Sequence, residues 1–87
     1  MNYAIEWVDE AEEHLAAAWV ACADRAAVAE AARRAEQKLA HNPQELGESR
    51  SECDRILFEP PLAIFYRVDE PNRKVTVSSV ALLPRFA

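Results

Sequence analysis

The sequence predicts an α+β domain in which a helical hairpin packs on one face of a small antiparallel sheet. Three observations predict it. A short alternating segment opens the chain, two alanine-rich amphipathic segments follow it directly, and three alternating segments separated by turn residues close it. Because the 87 residues contain no linker and no repeat, we expect a single domain, residues 1–87, with the order β-α-α-β-β-β.

The first strand is predicted over residues 2–8, where the heavy side chains of Tyr3, Ile5 and Trp7 alternate with other residues. Asp9 stands where a helix N-cap belongs, and Glu12 follows at the spacing of a capping box. We therefore expect the first helix over residues 9–22. Its apolar stripe comprises Ala11, Leu15, Ala18, Trp19 and Cys22. Trp19 and the strand residue Trp7 are both expected in the core.

The second helix follows after a connection of about two residues, so the two helices should form an antiparallel hairpin. Asp24 is its expected N-cap, and Asn42-Pro43 should end it. Its core-facing stripe comprises Val28, Ala31, Ala32, Ala35 and Leu39.

After a polar loop over residues 43–53, three strands are expected to form an antiparallel meander. Strand two covers residues 54–58, Pro60-Pro61 forces a turn, and strand three covers residues 62–68. A turn at residues 69–72 leads to strand four at residues 74–81, which should lie beside the first strand.

Alternation along these strands also predicts which side chains face the helices. The inward set is Ile56, Phe58, Leu62, Ile64, Tyr66, Val68, Val75 and Val77. The set predicted for the open face of the sheet is Arg55, Leu57, Glu59, Ala63, Phe65, Arg67, Lys74, Thr76 and Ser78.

Composition limits the function. The net charge of −5 disfavours a general nucleic-acid binder, although basic residues remain on the C-terminal half. No apolar run is long enough to span a membrane, and the residues after Met1 lack a signal-peptide pattern, so we expect the cytoplasm.

The sequence predicts neither a cofactor nor a metal. The chain has one glycine, which excludes a glycine-rich phosphate loop, and Glu10 with His14 provides only two ligands at helical spacing. Cys22 and Cys53 belong to no CxxC pair and are expected to be buried free thiols.

Several segments, in this order, resemble the RelE/ParE superfamily of bacterial toxins. They are residues 11–15 (AEEHL), 42–50 (NPQELGESR), 55–58 (RILF) and 65–70 (FYRVDE). The resemblance implies the toxin of a type II toxin–antitoxin pair, neutralised by a cognate antitoxin. It also implies one of two targets: mRNA on the ribosome, which RelE-type members cut, or DNA gyrase, which ParE-type members inhibit.

The resemblance implies that the basic residues with which the RNA-cutting members act lie on the open face of the sheet. Arg55 matches the first basic position of strand two, whereas Leu57 and Ala63 replace two others. Leu82-Leu83 occupies the position after strand four, with Arg85 close by. The candidate phosphate-binding or catalytic set is therefore Arg55, Arg67 and Arg85, with Arg50 and Lys74 as neighbours, and the replacements favour a ParE-like protein inhibitor over an endoribonuclease.

An alternative for the basic set is a solvated face in which Arg55 and Arg67 pair with Glu59 or Asp69. The apolar tail, with Leu82, Leu83 and Phe86, is the candidate partner-binding segment. It either folds back on the sheet or forms a surface for the antitoxin or for a homodimer, and the sequence leaves these alternatives open.

Overall fold

In a computed structural model of the protein, residues 2–49 and 54–86 are described. The predictions about Arg50 and Cys53 lie outside the described residues. The helices and strands are β1 (Ala4–Trp7), α1 (Asp9–Ala21), α2 (Arg25–His41), β2 (Glu48–Ser49), β3 (Asp54–Glu59), β4 (Leu62–Asp69) and β5 (Lys74–Leu82), followed by a 3₁₀ turn (Pro84–Phe86).

The strands form one sheet in the order β1-β5-β4-β3-β2, with the helices on one face. The predicted α+β class is confirmed, and so are the meander and the position of the first strand beside the last. β1 runs parallel to β5, so the sheet is mixed rather than wholly antiparallel. Side chains alternate along a strand in the same way whether the neighbouring strand is parallel or antiparallel. The sequence pattern therefore could not predict that β1 runs parallel to β5.

The helix boundaries follow local chemistry. Asp24 caps α2 as predicted, because its Oδ1 accepts a hydrogen bond of 3.1 Å from the backbone N–H of Ala27. The predicted cap at Asp9 is wrong: Val8 occupies the N-cap of α1 and makes no side-chain hydrogen bond there. Asp9 is instead the first helical residue, where its charge still suits the helix dipole.

The core lies between the helical hairpin and the sheet. The stripe of α2 is buried as predicted, with Val28, Ala31, Ala35 and Leu39 each at 0% exposure. Cys22 is a buried free thiol, also as predicted. Trp7 packs against this core, but Trp19 is 44% exposed, so the prediction of two core tryptophans is wrong for Trp19.

The predicted inward faces of β4 and β5 are confirmed by the burial of Leu62, Ile64, Tyr66, Val75 and Val77. In β5 the alternation changes at Ser78. Phe65 lies opposite Ser79 and Tyr66 opposite Val77, so Ser78 is the additional residue of a β-bulge.

The predicted phase of β3 is wrong. Leu57 lies opposite Ile64, and Glu59 lies opposite Leu62, which places both on the helix side of the sheet. Ile56 and Phe58 face the open side. The rule that apolar residues face the core failed here because the buried Glu59 carboxylate is paired with cations of α2, which lowers the cost of burying its charge.

Candidate functional site

Arg55 lies on the helix side of the sheet, not on the open side predicted for it. It stands opposite Tyr66 in the β3–β4 ladder. Its Nε and Nη2 donate to the backbone carbonyl of Leu46 at 3.1 and 3.0 Å, and Nη2 also lies 3.3 Å from the carbonyl oxygen of Gly47. The guanidinium therefore binds the loop after α2.

Tyr66 binds the same loop from the core. Its buried hydroxyl lies 2.8 Å from the carbonyl oxygens of both Pro43 and Leu46. Burial raises the pKa of Tyr66, and the nearby Arg55 charge opposes that rise in part. Together Tyr66 and Arg55 hold the α2–β3 connection against the sheet, a role that no pattern in the sequence indicates.

The loop passes close to β3 at Gly47. This residue has a φ of +67°, and an added Cβ would lie 2.3 Å from the carbonyl oxygen of Ile56. Glycine tolerates both the positive φ and the close approach. Arg55 is thus part of a tightly fitted structural contact.

Arg67 lies on the open face, as predicted. It is 62% exposed, and its Nε donates to Asp54 Oδ1 at 2.5 Å across the β3–β4 ladder. The predicted partners, Glu59 and Asp69, are therefore wrong. At the same end of the sheet, Lys74 Nζ lies 2.6 Å from Glu6 Oε1, and this hydrogen bond raises the pKa of Lys74.

Arg85 lies at the opposite end of the sheet. It is in the 3₁₀ turn after Leu82, and Leu82 pairs with Leu62 at the start of β4. Leu62 and Arg67 are separated by five steps of strand, which is roughly 17 Å. The Arg85 guanidinium stacks at 5.0 Å from the Phe86 ring. The structure therefore brings none of the three candidate arginines together.

The middle of the open face is apolar. Phe58 lies opposite Ala63, and Ile56 lies opposite Phe65, on adjacent strands. Phe58 is 49% exposed, whereas Ala63 is 4% exposed. Such a surface suits contact with protein, because within the described residues it presents no converging cations to the phosphate of an RNA backbone.

A charged cluster that the sequence analysis missed lies on the helix side. Glu59 Oε2 accepts from Arg34 Nε at 3.0 Å, and Oε1 accepts from Lys38 Nζ at 2.7 Å. Burial pushes the pKa of Glu59 upward, but the hydrogen bonds from Lys38 and Arg34 and their charges outweigh it and hold the pKa below its usual value. The i, i+4 spacing of Arg34 and Lys38 beside the buried stripe of α2 was the available signal.

The tail folds back onto the body of the domain. Leu83 N–H donates to the carbonyl of Pro61 at 2.8 Å, and Phe86 N–H donates to the carbonyl of Leu83 at 2.9 Å. Leu82 and Phe86 are half-buried and pack against the core. A largely apolar groove of about 330 Å³ separates α1 from the end of β5; its lining residues are His14, Ala17, Ala18, Ala21, Val80 and Leu82.

His14 lies at the edge of this groove. Its Nδ1 is 3.2 Å from Ser79 Oγ and 3.5 Å from the backbone nitrogen of Val80, beyond the point where β1 ends. His14 therefore packs between α1 and β5. Within residues 2–49 and 54–86, no group of three or more His, Cys, Asp or Glu side chains is arranged to hold a metal ion.

None of the helices in the described ranges has the length and apolar character needed to cross a membrane.

Comparison with known proteins gives a result at the level of structure only. No protein-family profile matches the sequence, and a comparison with curated proteins gives no match. A chain of the toxin–antitoxin complex RelBE2 from Mycobacterium tuberculosis superposes with a TM-score of 0.77 and 18% identity, over 94% of this chain and 99% of that one.

Two further complexes contain similar chains. The ParDE toxin–antitoxin system of P. aeruginosa gives a TM-score of 0.64 at 15% identity, over 93% of this chain and 96% of that one. The archaeal RelE–RelB complex from Pyrococcus horikoshii gives 0.69 at 10% identity, over 98% and 99%. The chain therefore has the same fold as these chains from the RelBE2, ParDE and RelE–RelB complexes.

Proposed function

We propose that this chain is the toxin of a type II toxin–antitoxin pair that acts in the cytoplasm and is neutralised by a cognate antitoxin. The observation that carries the proposal is the structural likeness to chains of three toxin–antitoxin complexes, over at least 93% of this chain in each case. The order of the segments that resemble the superfamily in the sequence supports the same function.

We further propose a ParE-like mode of action, in which the toxin inhibits a protein target such as DNA gyrase. Three arginines are candidates for phosphate binding, and their positions support this mode. Arg55 binds loop carbonyls, Arg67 pairs with Asp54, and Arg85 lies at the far end of the sheet. General acid–base and electrostatic catalysis require such groups to converge on one reacting phosphate.

The tail and the open sheet face are the proposed protein-binding surfaces. Leu82, Leu83 and Phe86 are half-buried, so a bound antitoxin segment would complete the burial of apolar side chains that the domain covers only in part. Phe58 would add an exposed aromatic group on the open face.

The alternative is a ribosome-dependent mRNA interferase. In that version Arg67, which is exposed on the open face, would exchange Asp54 for an RNA phosphate, with Arg55 and Arg85 as further basic candidates. An experiment can detect this exchange of Asp54 for an RNA phosphate through the effect of replacing Arg67.

Purified protein should be added to two reactions: DNA supercoiling by gyrase, and translation in vitro with mapping of mRNA 5′ ends. We expect inhibition of supercoiling and no new mRNA ends. The variants are Arg67→Ala and, as a control, Arg33→Ala, an arginine of similar exposure that pairs with Glu30 on α2. New ribosome-dependent ends that disappear in Arg67→Ala but persist in Arg33→Ala would establish the interferase instead.

A further inference from the structure

Ser79 and His14 meet at an edge of the sheet. β1 pairs with β5 only as far as Val77, so Ser79 and Val80 lie beyond the end of β1, where α1 is their neighbour. The Oγ of Ser79 lies 3.2 Å from Nδ1 of His14, and the backbone nitrogen of Val80 lies 3.5 Å from the same atom. A serine hydroxyl within hydrogen-bond reach of an imidazole is the arrangement from which enzymes build an activated nucleophile.

The contacts of His14 indicate which ring nitrogen carries the proton. A backbone N–H can only donate, so Nδ1, which faces the Val80 N–H, is the unprotonated acceptor and receives the Ser79 hydroxyl as well. The ring proton is therefore on Nε2, which lies 3.7 Å from Oε1 of Glu10. In this state Nδ1 is able to take the hydroxyl proton of Ser79, and the Glu10 carboxylate favours the positive charge that then forms on the ring.

The backbone of Val80 supplies a second part of such a site. In α/β-hydrolases the backbone N–H of the residue after the nucleophile donates to the oxyanion of the tetrahedral intermediate. Val80 directly follows Ser79, and its N–H makes a long contact of 3.5 Å to His14. Once Nδ1 is protonated it can no longer accept from Val80. This N–H therefore becomes available to the oxyanion in the same step in which the oxyanion forms.

An apolar groove adjoins these groups. It lies between α1 and the end of β5, has a volume of about 330 Å³, and is lined by both His14 and Val80. Its other lining side chains are small or aliphatic; they are Ala17, Ala18, Ala21 and Leu82. A short alkyl chain and this apolar surface would both leave water on contact, which is favourable. The groove therefore suits the acyl chain of a neutral ester.

We propose that Ser79 is a nucleophile for acyl transfer, with His14 as its general base, and that this site hydrolyses small esters with a short apolar acyl chain. Ser79 Oγ forms a bond to the ester carbonyl carbon while His14 Nδ1 takes the hydroxyl proton. The bond between the carbonyl carbon and the alcohol oxygen then breaks, the alcohol leaves with the proton from His14, and an acyl-serine remains. Water attacks the acyl-serine and gives a proton to His14, which returns it to Ser79 as the carboxylic acid departs.

Diisopropyl fluorophosphate tests the nucleophile, because it phosphorylates activated serines with loss of fluoride and leaves ordinary hydroxyls unmodified. Mass spectrometry of the digested protein should show one diisopropylphosphoryl group, on Ser79. Ser78→Ala is the matched control. Ser78 is also half-buried, but its Oγ lies 3.3 Å from the carbonyl oxygen of Phe65, so its loss should leave the labelling rate unchanged. Folded wild-type protein that remains unlabelled at Ser79 would overturn the proposal.

A change of His14 separates a general base from a packing residue. In His14→Asn the side-chain oxygen can take the place of Nδ1 and still accept from Ser79 and Val80, but it cannot take up the proton. We expect labelling of Ser79 to be at least about 100-fold slower, with thermal denaturation showing that the variant is folded. Equal labelling rates in wild type and His14→Asn would show that His14 only packs, and would contradict the proposal.

Glu10 acts through His14 and is a positioning residue. Its side chain is 74% exposed, so dissolved salt screens its charge. Glu10→Gln should therefore label more slowly than wild type at low salt. In high salt the wild-type rate should approach that of the variant, whose own rate should not depend on salt. Equal rates at low salt would contradict this role of Glu10.

Ester hydrolysis tests the substrate class. p-Nitrophenyl acetate and p-nitrophenyl butyrate differ only in the length of the acyl chain, so the groove should give the butyrate a several-fold higher kcat/KM. Ala21→Phe, at an exposed position in the groove lining, should remove this preference, whereas Val20→Phe, at an exposed position outside the lining, should keep it. Equal rates of p-nitrophenol release by wild type and Ser79→Ala would contradict catalysis by Ser79. These assays use the isolated chain, so their result does not depend on the proposed toxin function.

Discussion

At the scale of single residues, Glu59 shows how a buried charge is accommodated in this small domain. Its side chain is 9% exposed and bridges Arg34 and Lys38, whose own side chains are 40% and 47% exposed. The two cations therefore stay partly hydrated, and the carboxylate receives both of their hydrogen bonds. This arrangement joins α2 to β3 through charge-assisted hydrogen bonds.

We expect Glu59→Gln to lower the free energy of unfolding by about 1–2 kcal/mol, because the amide cannot reproduce two charge-assisted hydrogen bonds. Urea denaturation at neutral pH measures the change. Glu30→Gln is the control: its pair with Arg33 is exposed on both sides, so the expected change is within about 0.5 kcal/mol. Equal losses for the two variants would contradict the structural role of Glu59.

A comparison of the wild-type protein with Glu59→Gln at several pH values tests the pKa of Glu59. Because the folded state holds this pKa below its usual value, the ionised carboxylate contributes stability above the ordinary glutamate pKa of about 4.3. That contribution is lost as the pH falls through the lower pKa of the folded state. The difference in stability between wild type and Glu59→Gln should therefore shrink below about pH 4, and a difference that stays constant would contradict this account.

At the scale of elements, the two helices begin in different ways. α2 begins at a side-chain cap, whereas α1 begins directly after β1, with Val8 at the cap position. Val8 N–H donates to the carbonyl of Val77 at 3.1 Å, and the Val8 carbonyl accepts from Glu12 N–H at 3.1 Å. Sheet pairing therefore fixes the start of α1 without any help from an aspartate side chain.

Asp24→Ala should therefore destabilise the protein by about 1 kcal/mol, the usual cost of losing an N-cap. Asp9→Ala should cost less than about 0.5 kcal/mol, since it removes only a charge that favours the helix dipole. Thermal denaturation of both variants gives the comparison. A larger effect for Asp9→Ala would mean that the capping box predicted from the sequence forms after all.

These two aspartates also show which features the sequence predicted and why. α2 was predicted well because both of its ends depend on local chemistry, namely the Asp24 cap and the stop at Asn42-Pro43. The phase of β3 was predicted wrongly because it depends on partners distant in sequence: Glu59 is held by Arg34 and Lys38. Arg55 was misplaced for the same reason, since its carbonyl partners belong to a loop that precedes β3.

Trp19 illustrates a second limit. The sequence places Trp19 in the apolar stripe of α1. Membership of this stripe does not distinguish a residue in the core from a residue at the edge of the stripe. Only the angle at which α1 lies on the sheet decides between them, and that angle depends on the packing of α1 against β5 rather than on α1 itself. The tail was ambiguous for a similar reason, because the contact of Leu83 with Pro61 joins segments about 20 residues apart.

At the scale of the whole molecule, several basic side chains of this acidic chain are engaged by contacts within the domain. Arg34 and Lys38 bind Glu59, Arg55 binds the loop after α2, and Arg67 binds Asp54. With a net charge of −5, the molecule has no excess of cations to attract an RNA backbone. This distribution of charge agrees with the proposed action on a protein target.

The most direct test of this account is growth after induction of the chain from a tightly controlled promoter, with and without co-expression of the adjacent reading frame. We predict growth arrest when the chain is expressed alone and normal growth when the neighbouring product is present. Immunoblotting must show equal amounts of soluble chain in both cultures. Normal growth in the presence of abundant soluble chain alone would contradict the proposal that this protein is an active toxin.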